Sequence, residues 1–192
     1  MNLLLDEDGI GLSTGQITGL LGRNGCGKSR LMRRAFARYP GRGYGRHLLR
    51  YLPQNRWVPV GLTLKRVFDD FGVEYGGVER RFPEFQGRQH YTLKELSGGQ
   101  ARLVETCLII GGPAEFALLD EPFTHLMPLQ IDKVIEWLLE EKSKKGFLIT
   151  DHLYHHVIAV SDNVYVLADG KVHEIKDAAE ISALGYAGSG AR

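Results

Sequence analysis

Gly22-Arg23-Asn24-Gly25-Cys26-Gly27-Lys28-Ser29 is the stretch that decides the fold. It fits G-x-x-x-x-G-K-[ST] at every position. An apolar run over residues 16–21 (QITGLL) precedes it, and a segment with helical spacing, from Ser29 to about Tyr39, follows it. Strand, glycine loop and helix in that order are the context a phosphate cradle requires. Glycines let successive backbone N–H groups converge on phosphate oxygens, and the helix N-terminus adds a favourable dipole. Lys28 is placed to hold the β- and γ-phosphates and Ser29 to ligate Mg²⁺. Cys26 reads as a small residue that fits the tight turn rather than as a redox switch.

The rest of the chain alternates strands with helices. Leu31, Ala35 and Phe36 give the first helix its apolar side, and Pro40, Gly41, Gly43 and Gly45 end it. Residues 47–52 read as a second strand, closed by Pro53-Gln54. Residues 62–71 read as a short helix with Leu64, Val67, Phe68 and Phe71 inward, whereas 72–91 show no clear period. A helix is predicted from Gly98 to Ile110, with Leu103, Val104, Cys107 and Leu108 inward, and others over 128–142 and 153–160. Strands are predicted at 116–119 and 147–150, and a strand pair at 164–168 and 171–175 around Asp169-Gly170. The alternation predicts an α/β fold with a largely parallel sheet.

Composition narrows the function classes. The chain has 192 residues, a net charge of +1 and two cysteines, Cys26 and Cys107. That length suits one domain. The charge argues against a dedicated nucleic-acid binder, and two cysteines are too few for a disulfide framework. No apolar run approaches the roughly 20 residues that cross a bilayer. Leu3-Leu4-Leu5 is too short for a signal-peptide core and runs straight into Asp6, Glu7 and Asp8. A cytosolic chain is therefore expected. Arginines cluster at positions 30, 33, 34, 38, 42, 46 and 50, and the first four share one helix face. A solvated face is the expectation there, with an acidic partner or anionic lipid as the alternative.

Two further segments carry chemistry. Residues 116–121 (FALLDE) form a hydrophobic strand that ends in two carboxylates. Asp120 is placed to hold Mg²⁺ through water, and Glu121 to polarise an attacking water. Leu96-Ser97-Gly98-Gly99-Gln100 puts a hydroxyl and exposed N–H groups at a helix start, a second anion site. A lone subunit has no use for two sites on one phosphate tail. The competing reading is an ordinary capped helix start.

Taken together and in this order, these motifs resemble the ATP-binding cassette (ABC) ATPases over roughly residues 10–175. The resemblance implies a P-loop NTPase fold with a mainly parallel central sheet, a reduced antiparallel β region and a helical subdomain, approximately 60–112, that carries LSGGQ. It implies one cassette domain over residues 1–192; the Gly/Ala/Ser-rich end, 185–192, reads as frayed from its composition. The nucleotide would be held by Gly22, Arg23, Asn24, Gly25, Cys26, Gly27, Lys28, Ser29 and the adjacent Arg30. Ser97, Gly98, Gly99 and Gln100 would come from the opposing subunit, so that two chains sandwich two Mg-ATP. Gln54 resembles the glutamine that touches Mg²⁺ and senses the partner, which makes Ser29, Gln54 and Asp120 the metal residues. His152 resembles the switch histidine that bonds the γ-phosphate, so Glu121, His152 and Lys28 are the catalytic set. His152, His155 and His156 also have helical metal-ligand spacing, a reading that the family role displaces.

The implied biology is the ATP-hydrolysing subunit of a membrane transporter. It would be cytoplasmic and held at the inner face of the membrane through a separate transmembrane chain. Trp57-Val58-Pro59-Val60 offers a groove for that partner's helix, although core packing competes for Trp57. The alternative is a nucleotide-gated interaction switch without transport. A small-molecule kinase would share the phosphate loop but leave LSGGQ unexplained. Three departures from the family pattern stand out. Residues 1–21 contain no Phe, Tyr or Trp to stack on adenine. The stretch from Lys28 to Gln54 is short, so its antiparallel region should be trimmed. Met127 stands where the family has an aspartate that couples the two sites. The Glu121-Pro122-Phe123 start is similar to the lipopolysaccharide-export and branched-chain amino-acid subgroups.

Overall fold

In the computed structural model, which describes residues 2–4, 9–39, 48–175 and 180, the phosphate loop hangs from a central strand. This strand, Ile17–Leu21, has all five residues buried. Two short strands precede it, β1 (Asn2–Leu4) and β2 (Gly11–Ser13), so it is β3. The helix after the loop is α1 (Lys28–Arg38), followed by β4 (Leu49–Leu52). β5 (Phe116–Asp120), β6 (Gly146–Thr150), β7 (Asn163–Ala168) and β8 (Lys171–Ile175) complete a six-stranded sheet in the order β4-β5-β6-β3-β7-β8. All neighbours pair in parallel except β7 and β8. Helices cover such a sheet on both faces, so the inner strands read as unbroken apolar runs rather than alternating ones. β5 and β6 are buried at every position, as β3 is.

The predicted hairpin is present: Asp169 and Gly170 both have positive φ (49° and 73°), the geometry of a two-residue turn matched to strand twist. The antiparallel β1–β2 pair has three residues on each side. This pair precedes the phosphate loop; between Lys28 and Gln54, where the trimmed region is expected, the described residues form only α1 and β4, and 40–47 lie outside them. The turn residues Pro40, Gly41, Gly43 and Gly45, together with Arg42, Arg46, His47 and the tail at 185–192, lie outside the described residues.

Between β4 and β5 the chain is helical. α2 (Leu64–Phe71) starts where the Thr63 hydroxyl accepts from the Arg66 N–H and ends at Gly72, φ 68°. α3 (Tyr75–Arg81) occupies part of the stretch that lacks a sequence period, followed by a short 3₁₀ turn at Pro83–Phe85. Tertiary contacts, not periodicity, hold this part: Val78, Phe82 and Phe85 are buried, and the Tyr75 hydroxyl donates to the Phe85 carbonyl at 2.8 Å. α4 (Gly98–Gly111) is buried at every position from Ala101 to Ile110, well beyond its predicted inner side. It therefore runs through the interior, with Arg102 and Glu105 inside. α5 (Pro128–Glu141) and α6 (Tyr154–Val160) follow β5 and β6.

Arg50 departs from the solvated arginine cluster. It is buried on β4, where its guanidinium donates to the carbonyls of Phe71 and Leu108 and lies 4.9 Å from the Phe71 ring centre. Arg30, Arg33, Arg34 and Arg38 are exposed along α1.

Candidate functional site

The C-terminal ends of parallel strands face the same way, and in open α/β sheets that edge is where ligands bind. Here β3, β5 and β6 deliver the phosphate loop, Asp120-Glu121 and Asp151-His152 to that edge. Register fixes the last two, since Asp120 lies opposite Thr150.

The loop needs its glycines for different reasons. Gly25 and Gly27 have φ of 80° and 109°, values that side chains disfavour. Gly22 needs room instead. A Cβ there would run into the Cys26 sulfur and approach the Leu167 carbonyl at 3.0 Å. Cys26 thus fills the turn as a small packing residue. Lys28 Nζ donates to the carbonyls of Gly22 (2.6 Å) and Arg23 (3.2 Å), closing the loop on itself.

Beneath the loop, Ser29 Oγ donates to Asp120 Oδ1 at 2.9 Å, and the Tyr51 hydroxyl donates to Oδ2 at 2.9 Å. Burial pushes the Asp120 carboxyl above its ordinary range, against the pull of these two hydrogen bonds. Burial, then the Asp120 charge, raises the Tyr51 phenol. Hydroxyl and carboxylate oxygens side by side suit a small hard cation.

Glu121 sits at φ 56°, a conformation that costs a non-glycine residue of order 1–3 kcal/mol. Its N–H donates to the Thr150 carbonyl at 2.7 Å, and its Oε2 accepts from the Thr124 hydroxyl at 3.2 Å. Asp151 is buried and accepts from the N–H groups of Leu153 (3.0 Å) and Phe123 (2.9 Å). Burial raises its carboxyl, and the two N–H groups counter that. His152 Nδ1 lies 3.3 Å from Asp151 Oδ1, with the ring half exposed. His155 is exposed, and His156 packs edge-on against Phe123 at 5.9 Å. Among the described residues no three His, Cys, Asp or Glu side chains converge on a common point.

One cleft of about 600 Å³ gathers Asn24, Gly25, Gly27, Lys28, Ser29, Arg30, Gln54, Glu121 and His152. Gly22, Arg23 and Cys26 shape the loop from outside the cleft, and Asp120 reaches it through Ser29. Ser97, Gly98, Gly99 and Gln100 are not among its lining residues. They begin α4 with a reciprocal cap: Ser97 Oγ accepts from the Gln100 N–H, and Gln100 Oε1 accepts from the Ser97 N–H. Ser97 and Gly98 are exposed. Gly99 is constrained from behind, because a Cβ there would collide with the His125 carbonyl.

Four contributors escaped the sequence reading: Tyr51, Asp151, Thr124 and Arg102. Tyr51 and Asp151 had a faint signal, being polar residues in or just after buried strands. Arg102 had none beyond its spacing to Glu105.

The ABC transporter family model matches residues 5–124, well over half of the chain. The lipopolysaccharide export system ATP-binding protein LptB of Acidithiobacillus ferridurans is 27% identical over 191 residues, covering 85% of this chain and 79% of that protein. The aliphatic sulfonates import ATP-binding protein SsuB of Mycobacterium avium (strain 104) is 30% identical over 190 residues, covering 90% and 75%. A solved structure titled "Structure of ATP binding subunit of ABC transporter" superimposes with a TM-score of 0.75 over 97% of this chain and 89% of that one. At 22% identity it shows the shared fold. By the family match and these relatives together, the chain belongs to the ABC transporter family, as one of its ATPases.

Proposed function

We propose that this chain binds Mg-ATP at Gly22–Ser29, dimerises with a second copy around two Mg-ATP, and drives a transporter whose membrane-spanning subunit is a separate polypeptide. The observation that carries this is the division of the motifs. Lys28, Ser29, Gln54, Glu121 and His152 share one cleft, while Ser97 and Gly98 are presented to solvent elsewhere. A second chain can bring those exposed donors to the first chain's nucleotide.

In this reading Lys28 exchanges its loop carbonyls for phosphate oxygens, and the N–H groups of the loop hold the β-phosphate. Ser29, Asp120 and Gln54 hold Mg²⁺, which offsets charge on the phosphate oxygens when bound. Glu121 orients water for in-line attack on the γ-phosphate. His152, whose Nδ1 lies 3.3 Å from Asp151 Oδ1, is oriented by that carboxylate toward the γ-phosphate. Arg30 lies beside the phosphates at the helix start. Most of the catalysis is positioning and charge stabilisation.

The transmembrane partner is expected at a groove of about 260 Å³ lined by Trp57, Val58, Pro59, Leu62, Val67 and Phe71. Trp57 packs its ring on Phe71 at 5.1 Å and also lines this groove. Among the described residues no helix is long and apolar enough to cross a membrane, which fits a subunit that meets the membrane through a partner at its cytoplasmic face.

Glu121→Gln tests the reading. The amide keeps the shape and removes the base. ATP should still bind while hydrolysis falls about 10²–10⁴-fold, and gel filtration should show dimers accumulating with Mg-ATP. Hydrolysis at the wild-type rate would remove Glu121 from its role, and a strict monomer under those conditions would remove the sandwich.

A further inference from the structure

Arg102 and Glu105 are the charged pair in the interior of α4, 5% and 0% exposed. A charge is buried only where it is well paired, because the desolvation cost is several kcal/mol per ion. The guanidinium of Arg102 spends its donors on main-chain carbonyls from two loops. Nη1 donates to the Pro53 carbonyl at 2.7 Å, next to Gln54. Nη2 donates to the carbonyls of Asp120 and, at 3.0 Å, Glu121; Nε donates to the Glu121 carbonyl at 3.2 Å. Glu105 Oε2 lies 3.6 Å from Nη1 as the countercharge. Its Oε1 accepts from the N–H groups of Trp57 (3.1 Å) and Val58 (3.3 Å), on the far side of the Gln54 loop.

This arrangement bears directly on Glu121. Its backbone is in the left-handed region, which an unconstrained chain would leave. The Thr150 carbonyl pins its N–H, and Arg102 pins its C=O twice. We propose that Arg102, held by Glu105, is a positioning residue for hydrolysis. It clamps the Asp120-Glu121 turn and the Gln54 loop in a fixed mutual register, so that the metal-side and water-side groups meet the same phosphate. It is not among the residues that line the cleft, and its hydrogen bonds go to Pro53, Asp120 and Glu121 rather than to the phosphate loop.

The inference rests on the hydrolytic reading above, so the parent chain and Glu121→Gln are measured first; a parent without Mg-dependent ATP turnover would sink that reading and not this one. Arg102→Lys keeps the charge but cannot reach three carbonyls from one planar fork. It should leave ATP affinity within about threefold and lower kcat roughly 10–100-fold, the scale of a misplacement near 1 Å. In the Glu121→Gln background the same substitution should cost little more, because both changes act on one step and such effects are strongly non-additive. A general loss of structure would instead lower affinity and kcat together and by the same factor in either background. Glu105→Gln, which keeps the acceptor for Trp57 and Val58 and removes only the countercharge, should follow the same pattern at smaller amplitude. It serves as the deciding variant if Arg102→Lys does not fold. Turnover within threefold of the parent in a folded Arg102→Lys, or costs that multiply fully across the two backgrounds, would overturn the proposal.

Discussion

The two segments proposed to meet phosphate are built in opposite ways. The phosphate loop spends its polar side chains on its own chain. Its lysine turns back on its own carbonyls, its serine hydrogen-bonds a carboxylate, and that buried carboxylate has its pKa raised. Ser97-Gly98-Gly99-Gln100 is locally complete. Serine and glutamine cap each other, Gly99 packs on the loop at His125, and none of the four lines the cleft. The first segment stores unfavourable electrostatics that a ligand can relieve. The second is already capped and has little to gain alone, which suits the proposed use of its exposed residues by a second chain.

The sharpest way to break that contrast is to mix two damaged proteins. Lys28→Ala removes the first segment's phosphate ligand, and Ser97→Arg blocks the second's platform. Each should be nearly inactive alone. In a mixed dimer one composite site carries both lesions and the other carries neither, so random pairing should restore up to about a quarter of parental turnover. Steady-state phosphate release on a titration of one variant into the other reads this out. A mixture that stays dead, although the two proteins associate, would mean that LSGGQ here does no more than cap α4.

Much of this division was legible in the sequence. The loop was legible because glycine spacing, an apolar strand before it and a helix after it leave few alternatives, and β5 because four apolar residues run straight into Asp120-Glu121. What stayed hidden depends on three-dimensional proximity that no period encodes. Arg50 sits in an arginine-rich run that reads as solvated, yet a strand position carries it beneath α4 to the Leu108 carbonyl. α3 contains Gly76-Gly77, which argues against a helix, and it forms because Val78 is anchored in the core beside Phe82 and Phe85. Arg102 and Asp151 hold backbone groups rather than ligands, so no motif marks them.

The same contrast predicts opposite signs for two conservative truncations. Asp120→Asn removes a carboxylate whose folded pKa is raised by burial. Such a group contributes stability below its unfolded pKa and loses it as pH rises through its folded value, so at neutral pH it burdens the apo fold. The amide should therefore raise the apo melting temperature, on the order of 2–4 °C for each kcal/mol relieved. It should also abolish the additional rise that Mg²⁺ with ATP produces in the parent. Ser97→Ala removes a helix cap and should lower the stability of the nucleotide-free chain by about 1 kcal/mol at every pH. Thermal melts from pH 4 to 8 separate the two: the gap between parent and Asp120→Asn should widen with pH, and that between parent and Ser97→Ala should stay flat. Matching signs would dissolve the distinction between a ligand-poised and a self-contained segment.

The smallest effect concerns the end of the nucleotide away from both segments. A second cavity of about 410 Å³ adjoins the loop, lined by Arg30, Leu31, Arg34, Leu167 and Gly170 besides the loop residues 25–27, and none of its lining residues carries an aromatic ring. Residues 1–21 supply none either. Aromatic stacking contributes about 1–3 kcal/mol per base where it occurs in nucleic-acid binding. Without a ring, and with phosphate contacts supplying most of the free energy, the purine edge has little influence on affinity. ATP and GTP should bind with dissociation constants within about threefold of each other, and both roughly tenfold or more weaker than a stacked base would give. Calorimetric titration of each nucleotide into the Glu121→Gln protein measures the ratio without hydrolysis. A phenylalanine introduced at Leu167, which lines this cavity, should tighten both nucleotides together. A strong preference for ATP in the parent would instead place base recognition on a residue beyond the cavity, or on the second chain.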